Sequence, residues 1–173
     1  MKAISLWQPW GSLWLSDAKI RTMEADDAIR RDTELNAGPD GTGYEQAPTR
    51  LKGTVDDIKK KPGGSPEARQ KYELWSAEQG YETGRWAASS AQKKLHESTL
   101  DSLDKRLDTL SGLASSNPER ANEYLSAYEE EVNGYVGSAI TSGDAKLRVD
   151  AARSTILKSS IVTRAIKNPY DFG

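Results

Sequence analysis

The feature that most constrains this chain is one helical run over residues 65–113, SPEARQKYELWSAEQGYETGRWAASSAQKKLHESTLDSLDKRLDTLSGL. At about 1.5 Å per residue, an unbroken helix of that length reaches roughly 70 Å, more than the width of a compact domain of this size. Ser65-Pro66-Glu67 opens it with a cap, a proline at the first position and an acidic first turn. Leu100, Leu103, Leu107 and Leu110 follow at 3-4-3 spacing, which makes them one helix-packing stripe. A long helix with a narrow apolar stripe needs partner helices, so the fold class expected is all-α. The earlier half carries Tyr72, Trp75 and Trp86 with a Gly80-x-x-x-Gly84 pair, and no cover for them is evident in the sequence. Tyr72, Trp75, Gly80, Gly84 and Trp86 are therefore the expected intermolecular surface. Polar Gln79, Glu82, Ser89, Lys93 and His96 interrupt the heptad, so the helix is expected to change partners along its length.

Downstream, Gly112 and Ser115-Ser116 end the run, and Asn117-Pro118-Glu119 opens a second helix with cap, proline and acid in order. Its apolar face is Ala121, Tyr124, Leu125, Tyr128, Val132, Tyr135 and Val136. The short loop predicts an antiparallel return onto the leucine stripe. A third helix is expected from Asp144 to about Lys167, with Leu147, Ala151, Ile156, Leu157, Ile161 and Ala165 inward, stopped by Asn168-Pro169 ahead of a tail from Tyr170. The ending is abrupt and reads as that of a piece of something longer.

Upstream, residues 44–65 contain an amphipathic helix through Leu51, Val55 and Ile58. Its last turn, Lys59-Lys60-Lys61, suits the negative helix end, and Pro62-Gly63-Gly64 stops it. A shorter helix over residues 25–35 ends in the turn chemistry of residues 36–43. Residues 1–22 differ in composition and hold three of the five tryptophans. There Ala3 to Trp7 reads as a strand, ended by Pro9, and Gly11-Ser12 opens a short helix through Leu13, Trp14 and Leu15. Met23 is the expected junction of a graft, whether a fusion, a frameshift or a start upstream of the true one. Three segments follow: residues 1–22, residues 23–64 with short helices and Gly/Pro-rich loops, and residues 65–173 as an extended helical bundle.

Several chemistries find little support. Net charge is −2, which gives no general attraction to nucleic acid or anionic membranes, so a nucleic-acid partner is not expected. There are no cysteines, hence no disulfide or thiolate metal site. No apolar run approaches the roughly 20 residues of a membrane span. The N-terminus lacks the pattern of a secretory signal. His96, the sole histidine, has no carboxylate one turn back and reads as a solvated or partly packed helix residue. Glu129-Glu130-Glu131, Asp26-Asp27 and Asp56-Asp57 are consecutive on helices and point apart, so they do not converge on an ion. Asp40-Gly41-Thr42-Gly43 has neither the preceding strand nor the lysine of a phosphate loop. No catalytic residue, metal site or cofactor is expected.

Two resemblances add to this reading. Gln8-Pro9-Trp10-Gly11-Ser12-Leu13 resembles the opening of ASCH domains, where a strand and a Q-P-W-x-S-L turn lead into a helix. Those domains continue with Lys-x-x-Glu-x-Arg. Here Lys19 fits the lysine, but Thr22 and Glu24 stand where glutamate and arginine belong. The resemblance implies a small PUA-like β-barrel acting on RNA or modified nucleosides. Residues 24–173 resemble helical segments of tailed-phage internal virion and tail proteins. The matching pieces are Asp27-Ala28-Ile29-Arg30-Arg31-Asp32-Thr33-Glu34-Leu35-Asn36, Arg69-Gln70-Lys71-Tyr72-Glu73-Leu74-Trp75, Asn117-Pro118-Glu119 and Arg164-Ala165-Ile166-Lys167-Asn168-Pro169. The first departs at Asp27, where the pattern has alanine. This second resemblance implies a structural role in a virion, a protein partner or homo-oligomer, a place in the virion or host cytoplasm, and no catalysis.

Overall fold

The computed structural model describes residues 8–167, with side chains from residue 13 onward. The strand expected at Ala3 to Trp7, the stop at Asn168-Pro169 and the tail from Tyr170 lie outside the described residues. Within them the chain is all-α, as expected. Its helices are α1 (Gln8–Asn36), α2 (Ala47–Lys60), α3 (Pro66–Ser116), α4 (Ala121–Gly134) and α5 (Ser142–Lys167), with 3₁₀ turns at Tyr44–Gln46 and Pro118–Arg120. The long helix and the antiparallel α4–α5 hairpin are both present. No strand occurs among the described residues, so the barrel implied by the N-terminal resemblance finds no counterpart there.

The short N-terminal helix and the helix over residues 25–35 are one element. Between Ser12 and Asn36 there is neither glycine nor proline, so nothing breaks α1 at the expected junction of Met23. It ends where Gly38-Pro39 forces a turn. The chain divides into two units, Met1–Lys93 and Lys94–Gly173, and α3 contributes to both.

In the first unit α1, α2 and the first part of α3 run up, down and up. One apolar cluster gathers Ala18, Val55, Ile58 and Tyr72, with Trp14, Leu15 and Trp75 at its edge. Another gathers Ile29, Tyr44, Ala47, Leu51 and Ala87, flanked by Trp86 and Ala91. Leu51, Val55 and Ile58 are buried as their spacing predicted. Ser65 Oγ accepts the Ala68 N–H at 3.1 Å, so the expected cap of α3 forms. The α2 C-terminus is tied down by Arg69. Its guanidinium donates to the carbonyls of Lys59, Lys61 and Gly63 and lies 4.9 Å from the Trp14 ring centroid. Gly64 has φ +76°, and a Cβ there would meet the Trp14 ring at 2.7 Å. Gly41 (φ +86°) is likewise required, since a Cβ would stand 2.4 Å from the Ala91 carbonyl oxygen. The glycine turn is thus a packing device against α3.

In the second unit the rest of α3 packs with α4 and α5. Leu103 and Leu110 are buried, and Leu100 and Leu107 pack beside them, against Leu125, Tyr128, Val132, Ala152 and Ile156. Asn117 does not cap the next helix. Its side chain turns back toward the Leu113 carbonyl, and Pro118–Arg120 forms a 3₁₀ turn first. Tyr135 and Val136 lie beyond the end of α4 and are exposed. The inward stripe of α5 is Ala145, Val149, Ala152, Ile156 and Ser160. Of the expected stripe only Ile156 and Leu157 pack. Leu147, Ala151, Ile161 and Ala165 are exposed, because the small residues of the 145–160 stripe set the rotation that lets α5 approach closely.

Candidate functional site

The expected intermolecular surface is largely occupied by the chain itself. Tyr72 is fully buried, its ring 5.7 Å from Trp14 and its hydroxyl 2.7 Å from Thr22 Oγ1. Burial pushes its phenol pKa up, while the Thr22 hydrogen bond and the Lys59 charge pull it back. Trp75 is half-buried, stacked near Tyr72 and under the Lys19 ammonium at 5.2 Å. Trp86 is half-buried against Tyr44 and under the Arg30 guanidinium at 4.9 Å. Helices α1 and α2 supply the cover missing from the sequence reading. Tyr72 is therefore a core residue, and Trp75 and Trp86 pack at the edges of the two clusters. Lys19 and Thr22, aligned above with the ASCH pattern, serve this packing.

The cover went unseen because the buried stripe of α1 is mostly polar or small: Ala18, Thr22, Asp26, Ile29 and Thr33, at 4-4-3-4 spacing. Asp26 accepts from Thr83 Oγ1 at 2.7 Å and pairs with Arg30 at 2.8 Å. Arg30 also reaches Thr83 at 3.4 Å. This layer separates the two apolar clusters. The spacing itself was the available signal, had threonine and aspartate been admitted as core residues.

What α3 leaves open is the opposite stripe. Leu74 is 70% exposed and Tyr81 67% exposed, and Ala77 and Ala88 are exposed beside them. With Gly84 they fall at 3-4-3-4 spacing, which places them on one stripe of α3. Gly80 and Gly84 survive from the expected surface as its small edge. No side chain stands within 4 Å of where a Cβ on Gly80 would be, and on Gly84 only Pro48 does, at 4.0 Å. Alongside runs an open groove of about 360 Å³ between α2 and α3, where Leu51, Val55, Ala77 and Gly80 share the lining with the charged Lys52, Asp56, Lys59 and Glu73. Glu78 and Arg85 are exposed on the other side of the stripe, and Arg85 lies 5.9 Å from the Tyr81 centroid.

In the second unit, His96 Nδ1 is 2.9 Å from the Ala139 carbonyl oxygen, tying α3 to the loop before α5. Thr141 and Asp144 form a reciprocal cap on α5. Asp144 accepts from the Thr141 N–H and hydroxyl, and Thr141 Oγ1 accepts the Asp144 N–H. These bonds hold the Asp144 carboxyl below its ordinary range. Thr42 does the same to Asp40. Tyr128 is buried with its hydroxyl outside hydrogen-bond geometry. Burial pushes its pKa up, while the nearby Arg148 charge opposes the rise. Among the described residues, no three His, Cys, Asp or Glu side chains are grouped to hold a metal ion. No described helix is long and apolar enough to cross a membrane.

Among the described residues the chain is all-α, with one stripe of α3 left exposed. No family model, curated protein or solved structure matches the chain.

Proposed function

We propose that the chain is a structural component that works by protein–protein contact, as an internal or tail protein of a phage particle. No catalytic step is assigned to it. One observation carries the reading: the Leu74–Tyr81 seam of α3 is apolar, regularly spaced and uncovered, on a helix held by packing on its other side. The four sequence segments that resemble virion proteins support the setting. The test is mass spectrometry on particles purified by density gradient from a producing culture and washed in high salt. Peptides of this chain should co-band with the particles. A chain that stays wholly in the unsedimented fraction, with particles free of it, overturns the virion assignment.

A further inference from the structure

We propose that the outward seam of α3 pairs antiparallel, about a two-fold axis, with the same seam of a second copy of this chain. This rests on the interaction reading above and names its partner.

The argument begins with residue size. Two large residues, Leu74 and Tyr81, stand on the seam among three small ones, Ala77, Gly84 and Ala88. Antiparallel helices place each seam residue of one type opposite the other type in the mate. In the register where Tyr81 faces the partner's Gly84, Ala77 faces the partner's Ala88, and both contacts recur by symmetry. Each tyrosine ring then lies over a glycine whose flank is open except for Pro48. No large residue meets another large one.

Residue size also admits the register one heptad away, where Leu74 faces Gly84 and Ala77 faces Tyr81, and charge decides between the two. The register with Tyr81 over the partner's Gly84 brings Glu78 beside the partner's Arg85, and Arg85 beside the partner's Glu78. Sliding by one heptad, so that Leu74 faces Gly84, instead puts Glu78 against Glu78 and Lys71 against Arg85. Like charges then meet along the flank that carries Lys71, Glu78 and Arg85, which opposes that register. Arg85 already lies near Tyr81, and its present partner Glu82 at 3.5 Å is on its own helix, so pairing needs no rearrangement of the fold. A partner of unrelated sequence has no reason to match this self-complementary arrangement of size and charge.

The test uses the full chain and two charge reversals at exposed positions, Glu78→Arg and Arg85→Glu. Sedimentation equilibrium of the wild type should give twice the 19.0 kDa of one chain. Each reversal alone puts like charges together and should weaken self-association by about tenfold or more. Mixing the two variants restores both pairs and should give a one-to-one dimer. Helix content and tryptophan fluorescence should be unchanged in both, which separates lost pairing from lost folding. The chain has no native cysteine, so register can be read by cross-linking. Ala77→Cys chains mixed with Ala88→Cys chains should join on mild oxidation, while neither should join to itself. A wild type that stays monomeric at about 100 µM, single reversals without effect, or Ala77→Cys joining to itself would each overturn the pairing. A monomer that still co-bands with particles sinks only this inference. A dimer missing from particles sinks only the virion assignment.

Discussion

Asp26 has 8% of its surface exposed and keeps its place through Thr83 on another helix and Arg30 on its own. Inside a bundle, an apolar residue there would tolerate small rotations, whereas a carboxylate between two fixed partners would not. The trio therefore holds α1 and α3 in one register, at a cost in stability relative to a packed apolar layer. Asp26→Ala leaves Arg30 and Thr83 without their shared acceptor. It should cost about 2 kcal/mol, since Arg30 is partly solvated and recovers some hydration. Urea unfolding followed by tryptophan fluorescence checks this. A change within error of zero would mean that water replaces the carboxylate freely. The trio was hidden in the sequence because aspartate and threonine on a helix read as surface. Burial of Asp26 follows from partners 4 and 57 positions away, and only the near one is visible along the chain.

At the scale of elements, legibility followed side-chain size. The Leu51-Val55-Ile58 face of α2 and the leucine stripe of α3 were readable because large aliphatic residues mark them. The phase of α5 is hidden for the same reason. Its large residues Leu147 and Ile161 face out, and Ala145 and Ala152 face in. Helix α1 runs unbroken through the change of composition at Met23, because a shift in composition without glycine or proline does not end a helix. The packing of Tyr72, Trp75 and Trp86 against α1 and α2 is hidden in the sequence, because the facing stripe of α1 is mostly polar or small. Caps fared unevenly: Ser65 behaves as its type predicts, while Asn117 yields to the 3₁₀ turn. The Thr141–Asp144 pair at the start of α5 gives a pH-dependent prediction. Asp144 has a folded-state pKa below the unfolded value of 3.8, so its stabilisation is full above that value and is lost as pH falls through the lower one. The gap in urea midpoint between wild type and Asp144→Ala should be full at pH 7 and shrink below pH 4. A gap that is equal at pH 3 and pH 7 would show that the carboxyl's charge plays no part. Thr141→Ala, which removes the cap itself, should cost about 1 kcal/mol at pH 7.

At the scale of the whole molecule, α3 serves two cores, and all five tryptophans precede residue 94. Tryptophan emission therefore reports the first unit, while far-ultraviolet circular dichroism reports both. Leu103→Ala empties a fully buried site in the second unit and should destabilise that unit by about 3 kcal/mol. The dichroism transition should then begin at lower urea than the fluorescence transition. Coincident transitions in this variant would show that the shared helix makes the two units unfold as one. The second unit contains its own reporter as well. A carbonyl can only accept, so the contact to Ala139 places the ring proton of neutral His96 on Nδ1. As the only imidazole in the chain, it gives one unambiguous set of ring resonances in a nitrogen-15 spectrum. The tautomer signature of that one ring reports, without any engineered label, whether the loop between α4 and α5 is closed against α3.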